Sequence, residues 1–94
     1  MTKLHTVEQH PSSPAQESYA NPDILLEGNP LLRKWAGLAL NNDKIKVGVM
    51  QAEPGVNRSF KNGMFEFCYL IEGIVELTPD GGEPMQIQAG DALL

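Results

Sequence analysis

Glu66 is the first residue whose type and setting suggest chemistry, because it is the one carboxylate in the run Phe65-Glu66-Phe67-Cys68-Tyr69-Leu70-Ile71. An ionised carboxylate buried among apolar side chains needs a partner, a metal or a ligand. Glu66 is therefore a candidate catalytic base, a metal ligand if a metal is bound, or a binding carboxylate. Upstream stand Arg58, Lys61 and Asn62, whose guanidinium, ammonium and amide can donate to a small polar ligand beside it. Cys68 and Tyr69 complete the candidate ligand-binding set.

Each of these residues also has a plainer reading. Glu66 can pair with Arg58 or Lys61 on a neighbouring strand, and Asn62-Gly63 can simply make a turn. Cys68 has no cation within a residue or two to favour its thiolate, so it reads as inert core. Tyr69 and Trp35 either line a cavity or fill the core. His5 and His10 lie in a proline-punctuated stretch, five residues apart, and read as solvated tail residues rather than metal ligands.

The elements that must position these groups read as strands. Alternation places Glu66, Cys68 and Leu70 on one face of their strand and Phe65, Phe67, Tyr69 and Ile71 on the other. Turn signals recur every eight to twelve residues: Asn41-Asn42-Asp43, Glu53-Pro54-Gly55, Lys61-Asn62-Gly63, Pro79-Asp80-Gly81-Gly82 and Ala89-Gly90-Asp91. That rhythm predicts an all-β sandwich or barrel. Residues 31–40 fit a strand, with a helix as runner-up, since Leu31, Leu32, Trp35, Leu38 and Ala39 form a helical stripe. Residues 1–30 read as an N-terminal arm and connector, with Asp23 capping a short turn before Asn29-Pro30. Residues 31–94 read as the β domain.

Ninety-four residues allow one small domain, and 41% apolar with 20% charged residues is ordinary for a folded chain. The net charge of -5 argues against nucleic acid and anionic membrane surfaces as partners. No apolar stretch approaches the roughly 20 residues of a membrane helix, and the polar N-terminus does not resemble a signal peptide. A cytoplasmic location is expected. One cysteine excludes an intrachain disulfide framework and a cysteine zinc knuckle. Arg33, Lys34, Lys44, Lys46, Arg58 and Lys61 precede Met64, whereas Glu66, Glu72, Glu76, Asp80, Glu83 and Asp91 follow it with no basic residue among them. Strand pairing between the two halves would set opposite charges side by side, at roughly 0.2–1 kcal/mol per pair.

Gly55, then Glu66 followed after six residues by Gly73, together with FCYLIEG, LTPDGG and AGD, resemble the first motif of the cupins. That motif reads Gly, five residues, His-x-His, three or four residues, Glu, six residues, Gly. The resemblance covers roughly residues 33–94 and points to the subgroup containing ureidoglycine aminohydrolases and ethanolamine-utilisation cupins. It implies a small cupin-type jelly-roll β-barrel with a flexible N-terminal arm. Cupin sites usually hold manganese, iron, nickel or zinc through three His and one Glu. Here the His positions fall on Phe60 and Asn62, or on Ser59 and Lys61, and Glu66 alone of the ligand set is present.

The second cupin motif would follow Gly90-Asp91, so a barrel incomplete at its C-terminus is expected, with further strands supplied by a longer native chain, by another copy, or dispensed with in a reduced fold. Ala92-Leu93-Leu94 as an apolar strand invites pairing with a neighbour. A homodimer or higher oligomer, formed through sheet edges or the arm, is the expected assembly. Three functions fit. The first is a cupin binding a small polar metabolite in its barrel, with weak or absent metal. The second is a metal-dependent enzyme of the ureidoglycine aminohydrolase type. The third is a structural or regulatory oligomer without a pocket.

Overall fold

The computed structural model describes residues 4–59 and 63–94, so the candidates Lys61 and Asn62 lie outside the described residues. Among the described residues there is no helix, and the expected all-β class holds. The chain divides into two units, Met1–Ser59 and Phe60–Leu94.

The first unit contains β1 (Gln16–Tyr19), β2 (Leu25–Glu27), β3 (Leu31–Leu40), β4 (Ile45–Ala52) and β5 (Val56–Asn57). An antiparallel sheet has the order β1-β3-β4, and β2 pairs separately with β5. The β3–β4 hairpin turns through Asn41, Asn42 and Asp43, with φ of 54°, 56° and 64°. Asn and Asp are the non-glycine residues that best tolerate this left-handed region.

A bulge explains why residues 31–40 also suit a helical pattern. Trp35 lies opposite Val49, Leu38 opposite Val47 and Leu40 opposite Ile45, with the register shifting between Ala36 and Leu38. Directly opposed residues share a face, so the extra residue at Gly37 moves the side-chain parity from odd to even. Trp35, Leu38 and Leu40 consequently line one face, at spacings of three and two rather than two and two. All three are half-buried, as are Val47 and Val49.

Part of the N-terminal segment enters the sheet. β1 pairs with β3 in the register Glu17 to Arg33 and Tyr19 to Leu31. The Arg33 guanidinium Nε donates to Glu17 Oε2 at 3.1 Å, both side chains remaining well exposed. At the following turn it is Asn21, rather than Asp23, that organises the backbone: its Oδ1 accepts from the Asp23 N–H at 3.0 Å, and its carbonyl accepts from the Ile24 N–H at 3.0 Å.

The second unit contains β6 (Cys68–Tyr69), β7 (Ile74–Leu77), β8 (Met85–Gln88) and β9 (Ala92–Leu93). β7 and β8 form an antiparallel hairpin through the predicted Pro79-Asp80-Gly81-Gly82 turn, closed by the Gly82 N–H on the Pro79 carbonyl at 2.9 Å. β6 pairs with β9, Cys68 opposite Leu93 and Tyr69 opposite Ala92. Ile87, opposite Val75, is the one buried hydrophobic residue among those described.

Two expectations are corrected. The strand expected over residues 65–71 is reduced to Cys68–Tyr69, and Phe65 and Phe67 are 95% and 69% exposed. Residues 64–67 are not strand, and alternation there does not bury a face. The cross-strand charge pairing expected between the two halves is also absent among the described strands, because every ladder runs within one unit. Arg33 instead finds its acid in β1.

Candidate functional site

The two motif glycines are fixed by different physics. Gly73, between β6 and β7, has φ of 90° with nothing near an added Cβ, so its backbone conformation requires glycine. Gly55 lies in the first unit, where a Cβ would come within 2.6 Å of the Pro30 ring, itself buried. There the requirement is space.

Glu66 precedes β6 by two residues, and Cys68 opens it. The Cys68 thiol donates to Glu66 Oε1 at 3.2 Å, which confirms that the two side chains share one side of the chain. Glu66 is exposed and Cys68 half-buried. The carboxylate therefore keeps access to solvent instead of being buried among the apolar side chains around it. Tyr69, the next strand residue, takes the opposite face and is 52% exposed. Arg58 belongs to the first unit, just after β5; its N–H donates to the Ile24 carbonyl at 2.8 Å and its carbonyl accepts from Asn57 Nδ2 at 2.9 Å.

The corner between β8 and β9 holds the other end of the β6 ladder. Gly90 has φ of 93°, the Asp91 carboxylate accepts from the Gln88 N–H at 2.9 Å, and the Asp91 N–H donates back to the Gln88 carbonyl at 2.9 Å. Leu70 then exchanges backbone hydrogen bonds with both residues: its N–H donates to the Asp91 carbonyl at 3.0 Å, and its carbonyl accepts from the Gly90 N–H at 2.9 Å. This anchors the chain two residues beyond Cys68.

A family model described as a EutQ-like cupin domain matches residues 40–94, more than half of the chain. The chain belongs to the EutQ-like cupin family. Searches of curated proteins and of solved structures returned no match. The matched range takes in β4 to β9 and all the motif positions, Gly55, Glu66 and Gly73, and leaves β1, β2 and nearly all of β3 outside.

The donors among the described residues differ from the three His and one Glu usual in cupins. Among the described residues no three His, Cys, Asp or Glu side chains gather as a metal-binding group. Glu66 has Cys68 at its side, and His5 and His10 are exposed in the N-terminal segment of the other unit. What the pair offers is a carboxylate oriented by a thiol, able to accept hydrogen bonds from a polar ligand.

Proposed function

We propose that this EutQ-like cupin binds a small polar metabolite at the Glu66 and Cys68 face of the second unit, with weak or absent metal binding. The observation that carries the reading is the 3.2 Å thiol-to-carboxylate hydrogen bond on an exposed segment. Orienting an accessible carboxylate in advance lowers the ordering cost of a ligand that donates to it. Lys61 and Asn62 are further candidate contacts from the sequence. The preferred ligands carry N–H or O–H donors, such as amides, ureides and polyols.

The test is a thermal-shift screen of such compounds on the chain and on Glu66→Gln and Cys68→Ser. A compound that stabilises the wild type should lose most of its effect in Glu66→Gln and a smaller part in Cys68→Ser. Equal shifts in wild type and Glu66→Gln would remove Glu66 from the site.

We also propose that the chain works as a homodimer or higher oligomer in the cytoplasm. The exposure of Phe65, Phe67 and Ile74 supports this, since apolar surface of that kind commonly marks an interface. Sedimentation of the purified chain as a monomer at micromolar concentration would contradict it.

A further inference from the structure

The apolar face that the β3 bulge creates is crossed by residues 6–13, and a cleft of about 220 Å³ lies between them. Trp35, Leu38 and Val49 supply the sheet side, and Val7 and Pro11 supply apolar groups from the crossing segment. The Trp35 indole N–H donates to the Ser13 carbonyl at 2.8 Å, so ring and segment are tied together. Among the described residues, Glu8 is the one charged residue on the lining, and no basic residue accompanies it there.

These three properties select a class of ligand. An anion would meet a carboxylate without a compensating cation. A neutral molecule would gain from the apolar walls but nothing from Glu8. A hydrated metal ion would find one carboxylate among apolar walls, far short of an oxygen cage. A cation that carries methyl or methylene groups gains from both, because indole is the side chain that attracts such cations best and a nearby carboxylate adds Coulomb attraction.

We propose that this cleft binds a small organic cation, an alkylated or primary ammonium, with Glu8 as counter-charge and Trp35 as the aromatic wall. The cleft belongs to the first unit, and this proposal stands or falls independently of the Glu66 and Cys68 reading.

Trp35 is the chain's one tryptophan, so its fluorescence reports on the cleft alone. The experiment titrates the whole chain with tetramethylammonium chloride at ionic strength held constant with sodium chloride. A saturable change on the order of millimolar is expected, as for a partly exposed cation and ring. Tert-butyl alcohol, similar in shape and neutral, gains only from the apolar walls and should give a clearly weaker response. Glu8→Gln, at an exposed position that tolerates substitution, should weaken the response about fivefold, the upper range for an exposed ion pair. A second readout is the line width of the tetramethylammonium methyl signal, which should broaden with the wild type and stay sharp with Trp35→Leu. A response that never saturates, an equal response to tert-butyl alcohol, or a Glu8→Gln curve superimposed on the wild type would overturn the proposal.

Discussion

The first unit pairs strands of ten and eight residues, β3 and β4, whereas the longest strands of the second unit, β7 and β8, have four residues each. The long hairpin gathers one apolar face from Trp35, Leu38, Leu40, Val47 and Val49, and its order comes from side chains packed on that face. The second unit is held mainly by its corners. Gly73, Gly81 and Gly90 all have positive φ, and Asp91 and Leu70 tie the β8–β9 corner to the β6 ladder. The difference teaches that the same kind of substitution should fail by volume in one unit and by backbone conformation in the other. It also places the candidate Glu66 on a short, turn-defined segment, where a carboxylate stays accessible.

Substitutions at the two motif glycines should show this contrast most clearly. Gly55→Val forces methyl groups into the buried Pro30 ring and should cost about 3 kcal/mol, the upper end of overpacking effects. Urea unfolding measures it. Gly73→Ala meets no neighbour and should cost only the left-handed backbone penalty, about 1–2 kcal/mol, while Gly73→Asn should recover part of that loss. If Gly73→Asn were no better than Gly73→Ala, the backbone explanation would be wrong.

Trp35→Ala should cost about 2 kcal/mol, less than a fully buried tryptophan, because the ring is half-buried against Val49 and also loses its bond to Ser13. Glu17→Ala should cost about 0.5 kcal/mol, and the difference should fade in high salt, since the pair with Arg33 is exposed on a cross-strand position. An effect of Glu17→Ala that is unchanged by salt would mean that the loss comes from strand packing instead.

Much of the fold was legible in the sequence, and the exceptions have identifiable causes. Turn residues such as Asn41-Asn42-Asp43 and Pro79-Asp80-Gly81-Gly82 act locally, so they mark their hairpins whatever surrounds them. The β3 strand was ambiguous because a bulge is a pairing event, and Gly37 alone does not announce it. β1 was hidden because Gln-Glu-Ser-Tyr carries no apolar alternation; Glu17 becomes ordered through Arg33, sixteen residues away. Residues 64–67 have the alternation of a strand but are not part of one, and sequence periodicity does not say whether a ladder forms. At the candidate site, spacing by two correctly joined Glu66 to Cys68, but the apolar neighbours wrongly implied that the carboxylate is buried. Glu8 in the arm cleft was missed because a single acid in a proline-punctuated segment has no pattern to set it apart.

Glu66→Gln keeps a side-chain oxygen that can accept from the Cys68 thiol, so it should change stability only slightly, by at most about 0.5 kcal/mol, yet remove ligand-induced stabilisation. That smallest stability effect bears on the central claim, that Glu66 in this EutQ-like cupin serves as a binding carboxylate rather than as part of a metal centre. The most direct test is elemental analysis for manganese, iron, nickel and zinc on purified, untagged protein and on Glu66→Gln. The account predicts far less than one metal per chain in both. One tightly held metal per chain in the wild type, lost in Glu66→Gln, would contradict it.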